Sequence, residues 1–416
     1  MPTSPLHQAH HVQETLRLRL TAPELSARLD SAVAASTIAR LVASGTATSK
    51  AELTRVTALP RSTVSGCVDA LLESGVLEIT GIRHVPGRGR PADLLALTGG
   101  SGAALLADVG VHQARLAIVD LGQTVLGETT LDIDIGDRPE KVIATLIGAF
   151  DDLLARTAAP SVRTVVIGLP GPVDPVHGCP VRPPIMPGWD GYPVADAFTD
   201  HYQVPTLVEN DVNLCALGEA RALPPDQCPL LFVIVDAGIG GGLVTGNGEL
   251  HHGADGAAGD IGHLRVPNAT EVQCACGNIG CIEAVASAGA IVRTLRALDG
   301  GPGPASITEL VELLRVRDPD ATRLVRESAA VIGEMVAFLV HCYNPARIVL
   351  GGPITEATDD ILAGVRAVVY QRALPLATRN LVLAHSTLRS RAAIAGATVL
   401  GIEHALSPDS LSWVRS

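Results

Sequence analysis

Three cysteines crowd into the eight residues Cys274-Ala-Cys276-Gly-Asn-Ile-Gly-Cys281, and His263 stands eleven residues upstream. Three thiolates and one imidazole make a closed tetrahedral zinc set, with no position left for a catalytic water. Three buried cysteines placed by chance would be the alternative. The two short gaps, with Gly277 and Gly280 permitting a tight backbone, favour the metal. The expected zinc is structural, one per chain, and would pin the loops that hold His263 and Glu283.

A second cluster, Glu209-Asn210-Asp211-Val212-Asn213, follows directly on the apolar segment Val204–Val208. Polar residues at a strand end are where open α/β folds bind ligands. Adjacent amide and carboxylate groups suit bidentate contacts to vicinal hydroxyls, and a carboxylate can deprotonate an alcohol. A solvated Asn-Asp turn is the plainer reading of these residues alone. Two glycine-rich stretches add to them: Asp236-Ala-Gly238-Ile-Gly240-Gly-Gly242, and Gly253 through Gly256 and Gly259 to His263. Such loops let backbone N–H groups approach phosphate or sugar, although glycine richness is weakly specific.

The elements that must position these groups are legible in outline. Residues 1–30 give no clear period and read as a loose tail. From Ser36 the pattern is helical, with Ile38, Leu41 and Val42 at helical spacing and Gly45 as the stop. Thr48 can cap a second helix, Ser49 to about Thr57, with Leu53 and Val56 as its apolar positions. A third runs from about Arg61 to Ser74, burying Val64, Val68, Leu71 and Leu72. Strand-like stretches Val76–Thr80 and Leu94–Leu97 flank a tip carrying Arg83, Arg88 and Arg90 with no acid between them. Three helices followed by a basic-tipped hairpin describe a winged helix-turn-helix. Its third helix would present Arg61, Ser62, Thr63 and Ser65 to the major groove, and its tip would enter a narrow minor groove. A protein-binding winged helix or a solvated basic loop is the competing reading, and the acid-free tip argues for double-stranded DNA.

Beyond Gly102 short apolar strands alternate with helices: Leu105–Val109, Ala114–Asp120, Val165–Leu169, Leu231–Val235 and Arg347–Leu350, with helices at Pro139–Ala155 and Ser328–Tyr343. A proline-dense stretch at 170–193 reads as an ordered, irregular loop. Of the 416 residues, 47% are apolar and 18% charged, which excludes a disordered chain. The net charge of −12 is uneven. Residues 31–100 carry seven basic against five acidic side chains, and residues 101–416 carry 21 against 35. A mildly basic module is thus joined to a body that would repel polyanions. No signal-peptide core or membrane-length apolar run is present, so a cytoplasmic protein without membrane contact is expected.

Together these motifs resemble one family closely, the ROK family (repressor, open reading frame, kinase), over about residues 36–410. Gly168-Leu-Pro170-Gly171-Pro172-Val-Asp174 and Pro187-Gly188-Trp189 are similar to its sugar-lobe loops, and Asn344 through Gly351-Gly352 to its adenosine-side turn. The resemblance implies an α/β architecture: an N-terminal winged helix-turn-helix (31–100) before a two-lobed, actin-like (ribonuclease H-like) sugar-kinase fold (101–416). The small lobe would hold about 101–212 plus 395–416, and the large lobe about 213–394. It implies zinc on His263, Cys274, Cys276 and Cys281, and sugar contacts from Asn210, Asp211, Asp260, His263 and Glu283. In the kinases of the family, Asp211 would be the base that activates the sugar hydroxyl.

Three departures bear on function. The first phosphate loop, typically Asp-x-Gly-Gly-Thr-Lys, here reads Asp108-Val-Gly110-Val-His112-Gln113. The second, usually opening Gly-Thr-Gly, here reads Asp236-Ala237-Gly238 and brings a carboxylate toward the triphosphate. The expected sugar-binding glutamate is the shorter Asp260. ATP use is therefore not expected. The leading expectation is a DNA-binding regulator responsive to a sugar or sugar derivative, a repressor acting as a homodimer or a dimer of dimers on an operator. A bifunctional sugar kinase that also binds DNA is the alternative, kept open by Asp211. A DNA-binding protein whose sensor answers to a protein partner is the third.

Overall fold

The structure is a computed structural model and describes residues 15–21, 30–83, 92–98, 100–267, 269–298 and 303–412. Helix α1 (Ser31–Ala43) starts five residues before the apolar period does, because the Asp30 carboxylate accepts from Ala32 N at 2.9 Å and caps it. Helix α2 (Lys50–Thr57) is capped by Ser49, not Thr48. Ser49 Oγ accepts from Glu52 N at 3.3 Å while the Glu52 carboxylate accepts from Thr48 N at 3.0 Å, a reciprocal pair that sets the start one residue later than expected. Of its two expected apolar positions, Leu53 is buried and Val56 is 47% exposed. Helix α3 (Arg61–Glu73) buries Val64, Cys67, Val68 and Leu71, and Leu72 is only half-buried. Strands β1 (Leu77–Arg83) and β2 (Ala92–Leu97) pair antiparallel as the wing, with a bulge between Ile79 and Gly81. Arg88 and Arg90, expected at the tip, lie outside the described residues.

Next come β3 (Ala103–Val109), β4 (Gln113–Asp120), β5 (Val125–Asp132), α4 (Pro139–Arg156) and β6 (Val162–Leu169). The proline-dense stretch contains a minimal hairpin, β7 (Val173–Asp174) and β8 (Cys179–Pro180), and buries Trp189, whose Nε1 donates to the Ile135 carbonyl at 3.1 Å. Helix α5 (Val194–Tyr202), strand β9 (Thr206–Asn210) and helix α6 (Asp211–Ala222) follow. This first sheet has the order β5-β4-β3-β6-β9, with β3, β6 and β9 parallel and β4 antiparallel to both its neighbours.

The second sheet starts with β10 (Leu230–Val235) and β11 (Ile239–Val244). After a long irregular segment come α7 (Ile282–Ala286), α8 (Ala288–Leu298), α9 (Ile307–Arg315), α10 (Pro319–Tyr343), β12 (Arg347–Gly351), α11 (Pro353–Ala357), α12 (Asp360–Arg372), α13 (Pro375–Thr378), β13 (Val382–His385) and α14 (Ala392–Ala405). Its order is β11-β10-β12-β13, antiparallel only at β11. Among the described residues no helix is long and apolar enough to cross a membrane.

Helices α6 and α14 lie between the sheets and touch each other at two glycines. A Cβ on Gly396 would run into the Leu214 carbonyl, and one on Gly218 into that of Ala392. Leu217 of α6 and Ala395, Val399 and Ile402 of α14 share one buried cluster with α1, α2 and α3, so the winged helix is packed onto the body. Residues 15–21, within the stretch read as a loose tail, pack into the same cluster. The alternation Leu16-Arg17-Leu18-Arg19-Leu20 is that of an extended strap, with Leu18 and Leu20 buried and both polar atoms of the Gln123 amide bonded to Leu18.

Candidate functional site

The cleft is built where β9 runs into α6. Asn210 caps that helix: its Oδ1 accepts from Val212 N at 2.9 Å and Asn213 N at 3.0 Å, and its Nδ2 donates to the Gly171 carbonyl at 3.0 Å. Asp211, the next residue, faces a cleft of about 330 Å³ that Asn210, Asp260, His263 and Glu283 also line. All five residues expected at a sugar site are thus brought to one place from segments far apart in the chain. Asp260 stays exposed at the rim, its Oδ1 3.9 Å from His263 Nε2.

Acidity dominates the floor. Burial first, then the Asp108 and Asp236 carboxylates, push Asp211 up to about 8. Burial raises Asp108 to about 6, with Arg115 opposing, and raises Asp236 as well. The Glu283 carboxyl is also raised, by burial, and its Oε2 accepts from Ile239 N at 3.3 Å. Both glycine turns that could cradle phosphate are bonded internally. Gly110 N donates to the Gln113 carbonyl at 2.8 Å, and Asp236 N to that of Gly238 at 2.9 Å.

One pair was not foreseen from the sequence. The buried Glu209 accepts from Asn210 N and Asn213 Nδ2, both at 2.9 Å, and its Oε2 meets His252 Nε2 at 2.6 Å. That bond ties the loop after β11 to the β9–α6 junction. Its one signal in the sequence was a histidine at the head of the glycine-rich stretch.

His263, Cys274, Cys276 and Cys281 converge, with their ligand atoms all within 4.8 Å of one another, as a group that could hold a metal ion. A tetrahedron with Zn–S arms of ~2.3 Å has S···S edges of ~3.8 Å. Cys276 Sγ lies 3.7 Å from Cys281 Sγ, and Cys274 Sγ 3.7 Å from His263 Nδ1, so the donor set fits such an ion. Burial, then hydrogen bonding with Cys276 and Cys274, pushes the Cys281 thiol up to about 12, and a cation would lower the cost of ionising it. Gly280 sits at φ +79°, and a Cβ there would lie 2.5 Å from the Ala269 carbonyl oxygen, so a side chain would not fit without a shift. His263 turns Nδ1 to the sulfurs and Nε2 to the cleft, joining the two sites.

At the far end of α6, Arg221 is 1% exposed. Its guanidinium donates to the Gly248 carbonyl (2.7 Å), the Arg19 carbonyl (3.1 Å), Thr21 Oγ1 (3.2 Å) and Glu403 Oε1 (2.7 Å). Arg40 of α1 donates to the Thr21 and Glu403 carbonyls from the other side. In the winged helix, Arg61 and Ser62 are exposed at the start of α3, with Thr63 and Ser65 half-buried behind them.

Fold and cleft define a sugar-kinase-like α/β protein that carries an N-terminal winged helix-turn-helix. The chain belongs to the ROK family, whose model matches residues 105–404. It is 28% identical over 377 residues to a putative xylose repressor of Caldicellulosiruptor sp. (strain Rt8B.4), covering 87% of this chain and 93% of that one. It is 24% identical over 363 residues to the DNA-binding transcriptional repressor Mlc of Escherichia coli (strain K12), covering 85% and 88%. Glucokinase of Thermotoga maritima is 29% identical over 304 residues, 70% of this chain and 94% of the enzyme. Among solved structures, a ROK family transcriptional regulator homologous to E. coli Mlc aligns with a TM-score of 0.77 at 24% identity, over 92% of this chain and 98% of that one. A Streptomyces griseus glucokinase in complex with glucose and AMPPNP aligns at 0.62 with 25% identity, over 72% and 99%.

Proposed function

We propose that this chain is a sugar-responsive, DNA-binding transcription regulator, a repressor that binds its operator as a homodimer. Its kinase-like body senses an unmodified ligand, and one structural zinc on His263, Cys274, Cys276 and Cys281 braces the ligand loops. Asn210, Asp211, Asp260, His263 and Glu283 hold the sugar. Arg61, Ser62, Thr63 and Ser65, with Arg83, Arg88 and Arg90 of the wing, meet the DNA.

One observation carries the reading. Helix α6 begins at the cleft with Asp211 and carries in its last turn Arg221, which is bonded to the strap and α14 residues that also hold α1 of the winged helix. Its 12 residues span about 18 Å as a rigid rod. A sugar that draws the lobes together around Asp211 tilts that rod, and the strap passes the tilt to the winged helix. Coupling of this kind is worth ~1–3 kcal/mol, or about 5–150-fold in operator affinity. The test is to select an operator from random duplexes, then titrate it against the zinc-loaded protein by fluorescence anisotropy with and without a panel of sugars. An affinity that no sugar moves would sink the sensor reading.

The kinase alternative rests on Asp211, which keeps the place of a general base. ADP release from ATP with a hexose panel, with Asp211→Asn as the blank, decides it. The regulator reading expects no turnover above the blank.

A further inference from the structure

We infer that the cleft takes an uncharged, unphosphorylated sugar and rejects the same sugar once it carries a phosphate. This rests on the sugar-sensor reading above and specifies its ligand. A phosphate dianion in a protein is held largely by cationic side chains, supported by free backbone amides, and among the described residues the lining of this cleft offers no lysine or arginine. It holds four carboxylates instead, on Asp211, Asp236, Asp260 and Glu283.

Two cations close to the cleft carboxyls are engaged elsewhere. Arg115, beside Asp108, donates to the Ser390 carbonyl and lies 3.8 Å from Glu128. Arg293, behind Glu283, donates to the Ala284 carbonyl at 3.2 Å. His263 turns only Nε2 to the cleft, and there the Asp260 carboxylate lies 3.9 Å from it.

Several of the amides at the cleft are taken as well. At the α6 N-terminus, Val212 N and Asn213 N donate to Asn210 Oδ1. On the glycine turns Gly110 N goes to the Gln113 carbonyl, Ile239 N to the Glu283 carboxylate, and Gly241 N to the Gly259 carbonyl at 3.1 Å.

What is left is a wall of carboxyl groups. Sugar hydroxyls both donate and accept and so pair with carboxyls, whereas a phosphate would bring two negative charges among four crowded acidic side chains with no cation beside them. The same wall that disfavours triphosphate therefore makes the chain a reader of sugar upstream of the group transfer that would phosphorylate it.

Isothermal titration calorimetry on the full-length zinc-loaded protein tests this with D-glucose, D-xylose and N-acetyl-D-glucosamine, each beside its monophosphate. The expected result is binding of at least one free sugar, with its phosphate at least 100-fold weaker. Asp236→Asn removes one wall charge and should shrink that ratio at least threefold; Asp236→Ser serves as the second variant should the first fail to fold. A phosphate that binds within tenfold of its parent sugar overturns the inference and leaves the sensor standing. A ratio unmoved by removal of the wall charge also overturns it. Silence from every sugar and every phosphate overturns the sensor reading together with the inference.

Discussion

Arg221 Nη1 and Glu403 Oε1 lie 2.7 Å apart in the core, and around this ion pair the strap, the winged helix and the cleft helix α6 are tied together. Arg221→Met leaves the Gly248 and Arg19 carbonyls without their donor and strips Glu403 of its cation, with Thr21 N and Oγ1 still donating to its carboxylate. Deleting one partner of a buried pair costs about 3–5 kcal/mol. Glu403→Gln keeps one acceptor oxygen and should be milder. Thermal unfolding should rank the two in that order. In Glu403→Gln the sugar response of operator binding should shrink further than operator binding itself. A variant whose ligand response is fully intact would remove this junction from the coupling route.

The cleft should also carry a cost in stability that rises with pH. A carboxyl held above its ordinary value is penalised when ionised, so Asp211, raised from 3.8 to about 8, is least unfavourable below pH 3.8 and weakens the fold as pH climbs to about 8. His252 acts in the same direction by the opposite route. Its pKa is raised above 6.5 by its bond to Glu209, so its stabilisation is full below pH 6.5 and is lost as pH rises through the folded value. Melting temperature should therefore fall from pH 6 to pH 8.5. Asp211→Asn should raise it at neutral pH by a few degrees and flatten the profile, and His252→Asn should flatten the profile while lowering it. A wild-type melting temperature that rises over this range would contradict both assignments.

Metal content separates the zinc assignment from the rest. Elemental analysis should find about one zinc per chain, and Cys276→Ser should lose it together with the sugar response, because His263 then loses its brace. Retained response in a zinc-free Cys276→Ser protein would show that the loops are held by their own bonds, such as Cys274 N to the Asn278 carbonyl at 2.8 Å.

Two glycine-to-alanine changes should move stability in opposite directions. At Gly396 a methyl would strike the Leu214 carbonyl, so α14 must back away from α6, and overpacking of this kind costs ~1–3 kcal/mol. At Gly148, exposed on α4 with open space around it, alanine should add ~0.4–1 kcal/mol by restricting the unfolded chain. Equal shifts in denaturant midpoint would argue against the close α6–α14 contact.

How much was legible in advance depended on where each signal lay. The metal set and the Asn210-Asp211 pair could be read because side-chain type at short spacing carries the chemistry by itself. Strands such as Leu230–Val235 are continuous apolar runs and declare themselves, whereas Ile239-Gly-Gly-Gly-Leu-Val244 has too little strand propensity to do so. The strap was invisible because its partners are remote: Gln123 lies 105 residues from Leu18, and Glu403 lies 382 from Thr21. The Glu209–His252 bond was hidden for the same reason, since neither residue is unusual until the fold brings the two together.

The winged helix makes the last prediction, and it concerns DNA directly. Arg61 is exposed where α3 begins, and in the sequence Arg88 and Arg90 stand between the two wing strands with no acid beside them. The body is strongly acidic, so favourable charge toward a duplex must come from this module and work against the rest of the chain. Each cation that neutralises a phosphate releases counterions and steepens the salt dependence of binding. Arg88→Ala with Arg90→Ala should therefore weaken all duplexes and reduce the slope of log K against log salt by up to about 2. Ser62→Ala or Thr63→Ala at the α3 terminus should instead leave the slope alone and lower the preference for the selected operator over random sequence. Anisotropy titrations between 50 and 200 mM salt, the range over which this term is largest, read both quantities. An unchanged slope in the double arginine variant would take the wing out of the DNA interface and leave α3 as the whole of it.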